Sequence, residues 1–319
     1  MKPIQSFFAI IKAYCAINVL LLPLPFSEGG YILAPIAMAV ACFFEALSAS
    51  RLTDVAYKHQ IYSYPLLMKK AMGDKGFIAA KVALSLAHFQ FSIGQISFIL
   101  ESLQSTIGAW VGHDSPLWIY GILIWVIYTP LVWIRYFKFL EKAFIFAVFM
   151  ILLGVMTTVV FALKEIEEND GPGPEVKPFV RSSYWTMVGF AFYMFEGIGC
   201  LLPVQREAAQ PEQFPRLVIF ALLTLFAFYV LFSFLCYYAW GSDLDEAVVT
   251  EMLPADNTSV QIMKLLFCTN LMISYPLTIV PSFNTLEYFL GKKETNTDEE
   301  RMRPDTNELP TDVIPMNVS

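Results

Sequence analysis

Residues 193–203 read YMFEGIGCLLP, which sets a carboxylate, Glu196, beside Gly197 and Gly199 and ahead of Pro203, all within an apolar run. An ionised carboxylate at the centre of a membrane span costs roughly 2.5–3.5 kcal/mol even on lenient insertion scales, so Glu196 is expected to face protein or water. The glycines weaken a helix, and the proline removes a backbone donor. A helix unwound here exposes N–H and C=O groups that lipid cannot satisfy, so they must line a cavity or a ligand site. The positive end of the half-helix that follows suits a carboxylate. The chemistry implied is binding of a small charged solute. The plainer alternative is that Glu196 pairs with a buried donor and the glycines only let helices approach closely.

Residues 16–23, AINVLLLP, show a related pattern around Asn18, and both stretches end in Leu-Leu-Pro. Two interrupted spans at corresponding positions point to an inverted-repeat transporter with a midplane site. Asn18 also suits a simple interhelical hydrogen bond. His88 lies mid-span in ALSLAHFQFSIGQISF and is either a proton relay or a neutral, hydrogen-bonded imidazole. Gln90 and Gln95 suit interhelical hydrogen bonds. Lys12, Lys81, Glu101 and Lys264 stand near span ends, where they are expected to snorkel. There is no phosphate-binding loop, zinc-protease motif or nucleophile elbow, so no enzyme is indicated. The cysteines, Cys15, Cys42, Cys200, Cys236 and Cys268, lie in apolar runs without metal or disulfide spacing and read as packing residues. No cofactor is expected.

The elements that position these residues follow from composition. The chain has 319 residues, 56% hydrophobic and 15% charged, and a mean hydropathy of +0.56. The apolar excess falls in stretches of roughly 20 residues, the length of a spanning helix. Eight spans are expected, at about 7–24, 31–50, 76–101, 116–134, 140–163, 184–204, 216–240 and 260–283, giving an all-α polytopic membrane protein over 1–290. Residues 291–319 are polar and Pro-containing and read as a disordered cytosolic tail. With the N-terminus in the cytosol, the cytosolic connections carry fourteen Lys and Arg, and the outer ones carry three, Lys164, Lys177 and Arg181. That asymmetry fits the positive-inside rule. The net charge of −7 is confined to loops and tail and implies no nucleic-acid partner. Asn257, in an outer connection, begins a glycosylation sequon.

These residues resemble a known family. FAFYMFEGIGCLLPVQREAAQPEQFP (190–215) resembles the sixth helix of the amino acid/auxin permease family, which includes proton-coupled, vesicular and sodium-coupled neutral amino acid transporters. KAYCAINVLLLPLPFSEGGYILAP (12–35) resembles its first helix. Segments 63–76, 131–142 and 237–254 resemble its connections, so the likeness runs over nearly all of 7–290. The resemblance implies a LeuT-like inverted-repeat fold with helices one and six broken around an amino acid. Its substrate contacts carry over onto Ala16, Ile17 and Asn18, and onto Phe195, Glu196, Gly197, Ile198 and Gly199. His88, Thr269, Asn270 and Ser274 become candidates for coupling to a proton or sodium ion. Ala13, Ala16 and Asn18 stand where the family often has glycine, and Gln205 replaces a frequent acid. The family has further spans beyond the eighth, so the second repeat is expected to be incomplete, and an oligomer or partner subunit to cover the gap. Secondary active amino acid transport is the first reading. The alternative is a non-transporting or truncated relative acting as a membrane subunit, scaffold or amino acid sensor. The sequence leaves open whether the membrane is plasma or vacuolar/lysosomal.

Overall fold

Proline and glycine set most helix boundaries in the computed structural model, which describes residues 1–15, 18–111, 116–133, 140–180, 182–254 and 257–290, with side chains at 131–133, 140–148, 274, 276, 277, 280, 281 and 284 also outside the description. The expected tail at 291–319 and the candidate residues Ala16 and Ile17 lie outside the described residues, as does the side chain of Ser274. Pro3 opens α1 (Pro3–Tyr14) and Pro23 opens α3 (Pro23–Gly29), with α2 (Asn18–Leu21) between them. A proline in the first turn sacrifices a donor that would be unpaired anyway. Next come α4 (Leu33–His59), α5 (Tyr64–Val111), α6 (Leu117–Trp133) and α7 (Leu140–Glu168). The chain continues through α8 (Tyr184–Met194), α9 (Ile198–Arg206), α10 (Phe214–Trp240) and α11 (Thr258–Phe289). Within α5, Gly73 at φ 69° breaks a short leading helix from the long one. Among the described residues there is no strand.

The described residues within the eight expected stretches are largely helical, with interruptions at Cys15, Leu22 and 195–197. Among the described residues, five helical stretches are long and apolar enough to cross a membrane, or six if α1 and the α2–α3 segment, bent by 43°, count as one. Leu117–Pro130 and Thr258–Ile273 are shorter apolar helices. Large apolar side chains such as Phe43, Trp125 and Leu231 point outward, as suits lipid contact. The inner face of α4 is a stripe of small residues, Ala34, Ala37, Ala41, Cys42, Ala49 and Ala56, at helical spacing. Small residues let membrane helices approach closely, and α4 packs on α10 and α8 along its length. The other principal seam joins α11 to α5 and α7.

The connections sort onto two ends of the bundle. Tyr31 and Ile32 N–H donate to the carbonyls of Lys177 and Pro178 (3.2 and 3.1 Å), and Ser242 N–H donates to Pro174 O (2.8 Å). Gly241, at φ 56°, sits so close to Pro174 that a Cβ would lie 2.0 Å from its carbonyl oxygen. Thus three of the four connections read as outer from charge, those at 25–30, 164–183 and 241–259, lie together. At the opposite end Ala209 N–H donates to Met1 O (2.8 Å), and Gln205 Nε2 donates to Thr53 O (2.8 Å).

One expectation is corrected. Lys264 does not snorkel: its side chain is buried and ion-paired with Glu251 at 2.6 Å. The pairing wins because the chain folds Glu251, on the 3-10 turn Val249–Met252, back into the bundle. Lys81 is also held, lying 4.0 Å over the Tyr288 ring.

Candidate functional site at two helix breaks

Between α8 and α9 the helical ladder is interrupted at residues 195–197. Glu196 N–H donates to Tyr193 O (3.2 Å), and Cys200 N–H restarts the ladder on Gly197 O (3.0 Å). Gly197 has φ −164°, extended backbone open to any residue, so conformation does not demand glycine there. Space does. A Cβ at 197 would lie 2.6–2.8 Å from three ring carbons of Tyr14, the last residue of α1. Pro203 sits inside α9 and has no N–H to give to the carbonyl of Gly199, so that rung of the helical ladder is missing.

The first break lies directly against this one. Tyr193, in the last turn of α8, donates from Oη to Asn18 Oδ1 at the start of α2 (3.1 Å). Tyr14 Oη donates to Glu45 Oε1 on α4 (2.6 Å), and Tyr229 Oη on α10 donates to Tyr14 O (3.0 Å). Both interrupted segments are therefore clamped by tyrosine hydroxyls. Glu196 Oε2 is buried and has no hydrogen-bond partner. A buried acceptor left unpaired costs about 1–3 kcal/mol, a cost that a ligand donor placed there would remove.

The residues singled out in the sequence divide as follows. Asn18, Glu196, Gly197 and Gly199 meet at the breaks. Phe195 contributes backbone, its ring being buried against Tyr229 with centroids 5.8 Å apart. Ile198 is the first residue of α9. His88 belongs beside them: a Cβ at Gly199 would lie 3.4 Å from His88 Nε2, and His88 Nδ1 is buried without a partner. Thr269 is exposed and returns its hydroxyl to Leu265 O (2.8 Å), while Asn270 is buried in α11. Asn257 caps α11, its Oδ1 accepting from Ser259 N–H (2.9 Å). Gln95 Nε2 donates to Thr278 Oγ1 across α5 and α11 (3.3 Å), the interhelical contact expected of it. Among the described residues no group of three His, Cys, Asp or Glu is placed to hold a metal ion.

Tyr14 and Glu45 did not emerge from the sequence. A signal for Glu45 was present, since it stands four residues from both Ala41 and Ala49 on the small-residue stripe of α4. An acid at that position faces the interior.

The chain is 25% identical over 318 residues to vacuolar amino acid transporter 4 of Saccharomyces cerevisiae, covering 96% of the chain and 44% of the yeast protein. It is 22% identical over 290 residues to vacuolar amino acid transporter 3 of Schizosaccharomyces pombe, covering 89% and 43%. Against amino acid transporter AVT3B of Arabidopsis thaliana it is 25% identical over 299 residues, covering 89% and 71%. The chain thus spans less than half the length of these yeast relatives. The profile of the family described as transmembrane amino acid transporter protein matches residues 1–310. With its run of apolar spanning helices, this is a multi-pass membrane protein, and the chain belongs to the transmembrane amino acid transporter protein family.

Proposed function

We propose that the chain forms the substrate-binding part of a secondary active amino acid transporter that works by alternating access. The observation that carries the reading is the close approach of the two helix breaks, with Tyr14 against Gly197 and Tyr193 bonded to Asn18. The α9 N-terminus offers N–H groups to a substrate carboxylate. Glu196 Oε2, buried without a donor, suits the substrate ammonium. Such a zwitterion brings its own charge balance to a site that hydrocarbon would otherwise leave unsatisfied.

In this reading the eight helical segments all cross the membrane in a LeuT-like arrangement. The bent α1–α3 unit is span one and α8–α9 is span six, with the N-terminus cytosolic. His88 is the candidate relay for a coupling proton, because it adjoins Gly199 from α5. Relatives named as vacuolar amino acid transporters favour an amino acid substrate and an internal membrane.

The test is uptake of a labelled amino acid panel by proteoliposomes holding the 319-residue chain, with imposed pH or sodium gradients. Accumulation that collapses when one gradient is removed is expected and identifies the coupling ion. Binding without uptake would favour the sensor or subunit reading. Neither binding nor uptake of any amino acid would sink both.

A further inference from the structure

We propose that Tyr14 sets the size of the amino acid side chain admitted at the breaks, and that Glu45 is the residue that positions it. This rests on the transporter reading above. The Tyr14 ring lies against Gly197 in the break, where its Cε1, Cζ and Cδ1 leave a Cβ only 2.6, 2.7 and 2.8 Å of separation. A substrate that uses this backbone therefore meets the ring as a wall. The wall is fixed at both ends. Its hydroxyl donates to Glu45 Oε1 at 2.6 Å, and the carbonyl of the same residue accepts from Tyr229 Oη at 3.0 Å. Tyr14 is 1% exposed, so the ring cannot swing aside without breaking a buried hydrogen bond.

Glu45 reaches this point because α4 packs its small-residue face inward. It bonds the hydroxyl of the wall residue, so its role is positioning. The consequence is a preference for small substrates such as glycine and alanine over leucine and phenylalanine. Each methylene accommodated or refused in an apolar binding pocket is worth about 10- to 200-fold in discrimination.

The experiment uses the purified full chain in detergent, with glycine, alanine, leucine and phenylalanine as probes and thermal stabilisation as the readout. Wild type is expected to bind the two small probes best. Tyr14→Ala should raise the leucine-to-alanine affinity ratio by at least about tenfold, with Tyr14→Leu intermediate. Glu45→Ala should relax the ranking in the same direction, whereas Glu45→Gln, which keeps an oxygen acceptor for the Tyr14 hydroxyl, should retain it. A general loss of stability would move all four probes together and not their ratio. Gly197→Ala should lose binding, and Tyr14→Ala in the same chain should recover it. An unchanged ratio in whichever of the Tyr14 and Glu45 variants fold, or phenylalanine as the best wild-type probe, would overturn the assignment alone. Failure of all four probes and of a wider amino acid panel to stabilise wild type would overturn the transporter reading and this proposal with it.

Discussion

Lys264 Nζ lies 2.6 Å from Glu251 Oε2, with the two side chains only 3% and 8% exposed. The second oxygen of Glu251 accepts from Ser102 Oγ at 2.9 Å, and Lys264 also donates to Ser105 Oγ at 3.2 Å. This cluster ties the Val249–Met252 turn to α5 and α11. Removing one partner strands the other charge. Glu251→Gln or Lys264→Met alone should therefore cost about 3–5 kcal/mol. Replacing both, as Glu251→Leu with Lys264→Met, should recover most of that loss. Thermal melts of the three variants in one detergent check it, and equal losses in single and double variants would show that the pair does not act as a unit.

The Tyr193–Asn18 bond is the polar bridge between the two breaks. Tyr193→Phe removes the donor and leaves the Asn18 amide, 2% exposed, without it, at a cost of about 1–3 kcal/mol. Asn18→Ala with Tyr193→Phe should show a coupling energy of about 0.5–3 kcal/mol in a double-mutant cycle. Strict additivity of the two losses would mean that the bond contributes nothing.

The sorting of connections onto two ends, together with the charge asymmetry, predicts topology. In a Cys200→Ser background, Glu168→Cys should react with an impermeant thiol reagent from the non-cytosolic side. Lys58→Cys, in the exposed last turn of α4, should react only from the cytosol. The reverse pattern would invert the orientation.

Glu175 and Lys177 form an exposed ion pair at 2.5 Å on the 164–183 connection. The Lys177 ammonium holds the Glu175 carboxyl below its usual range, and Glu175 raises Lys177 in turn. The depressed carboxyl contributes stability that is present above its unfolded value and lost as pH falls through the folded one. The raised amine contributes stability that is lost only as pH rises through its folded value. At neutral pH both are intact, yet both groups are solvated and screened. Glu175→Gln should leave the melting temperature at pH 7 unchanged in physiological salt. A large drop would reveal a further contact made by Glu175.

The sequence by itself determined the class of this protein and the place of its break. Apolar stretches of spanning length, separated by polar connections, cannot form a soluble core, because hydrocarbon leaves the backbone no partner but itself. Hence the described residues of these stretches are largely helical, with interruptions at Cys15, Leu22 and 195–197. Glu196, Gly197 and Pro203 marked an interruption for local reasons, the cost of a charge in lipid and of a proline in a ladder, and local reasons are readable from adjacent residues. What the sequence did not disclose is who meets whom. Tyr14 and Gly197 are distant in the chain, and nothing in either segment announces that the ring of one occupies the Cβ position of the other. The same holds for Lys264, which has the appearance of a span-end cation until the Val249–Met252 turn delivers Glu251 to it. Those outcomes depend on packing between helices remote in sequence, where shape and partner, and not composition, decide whether a polar group faces lipid, water or another side chain.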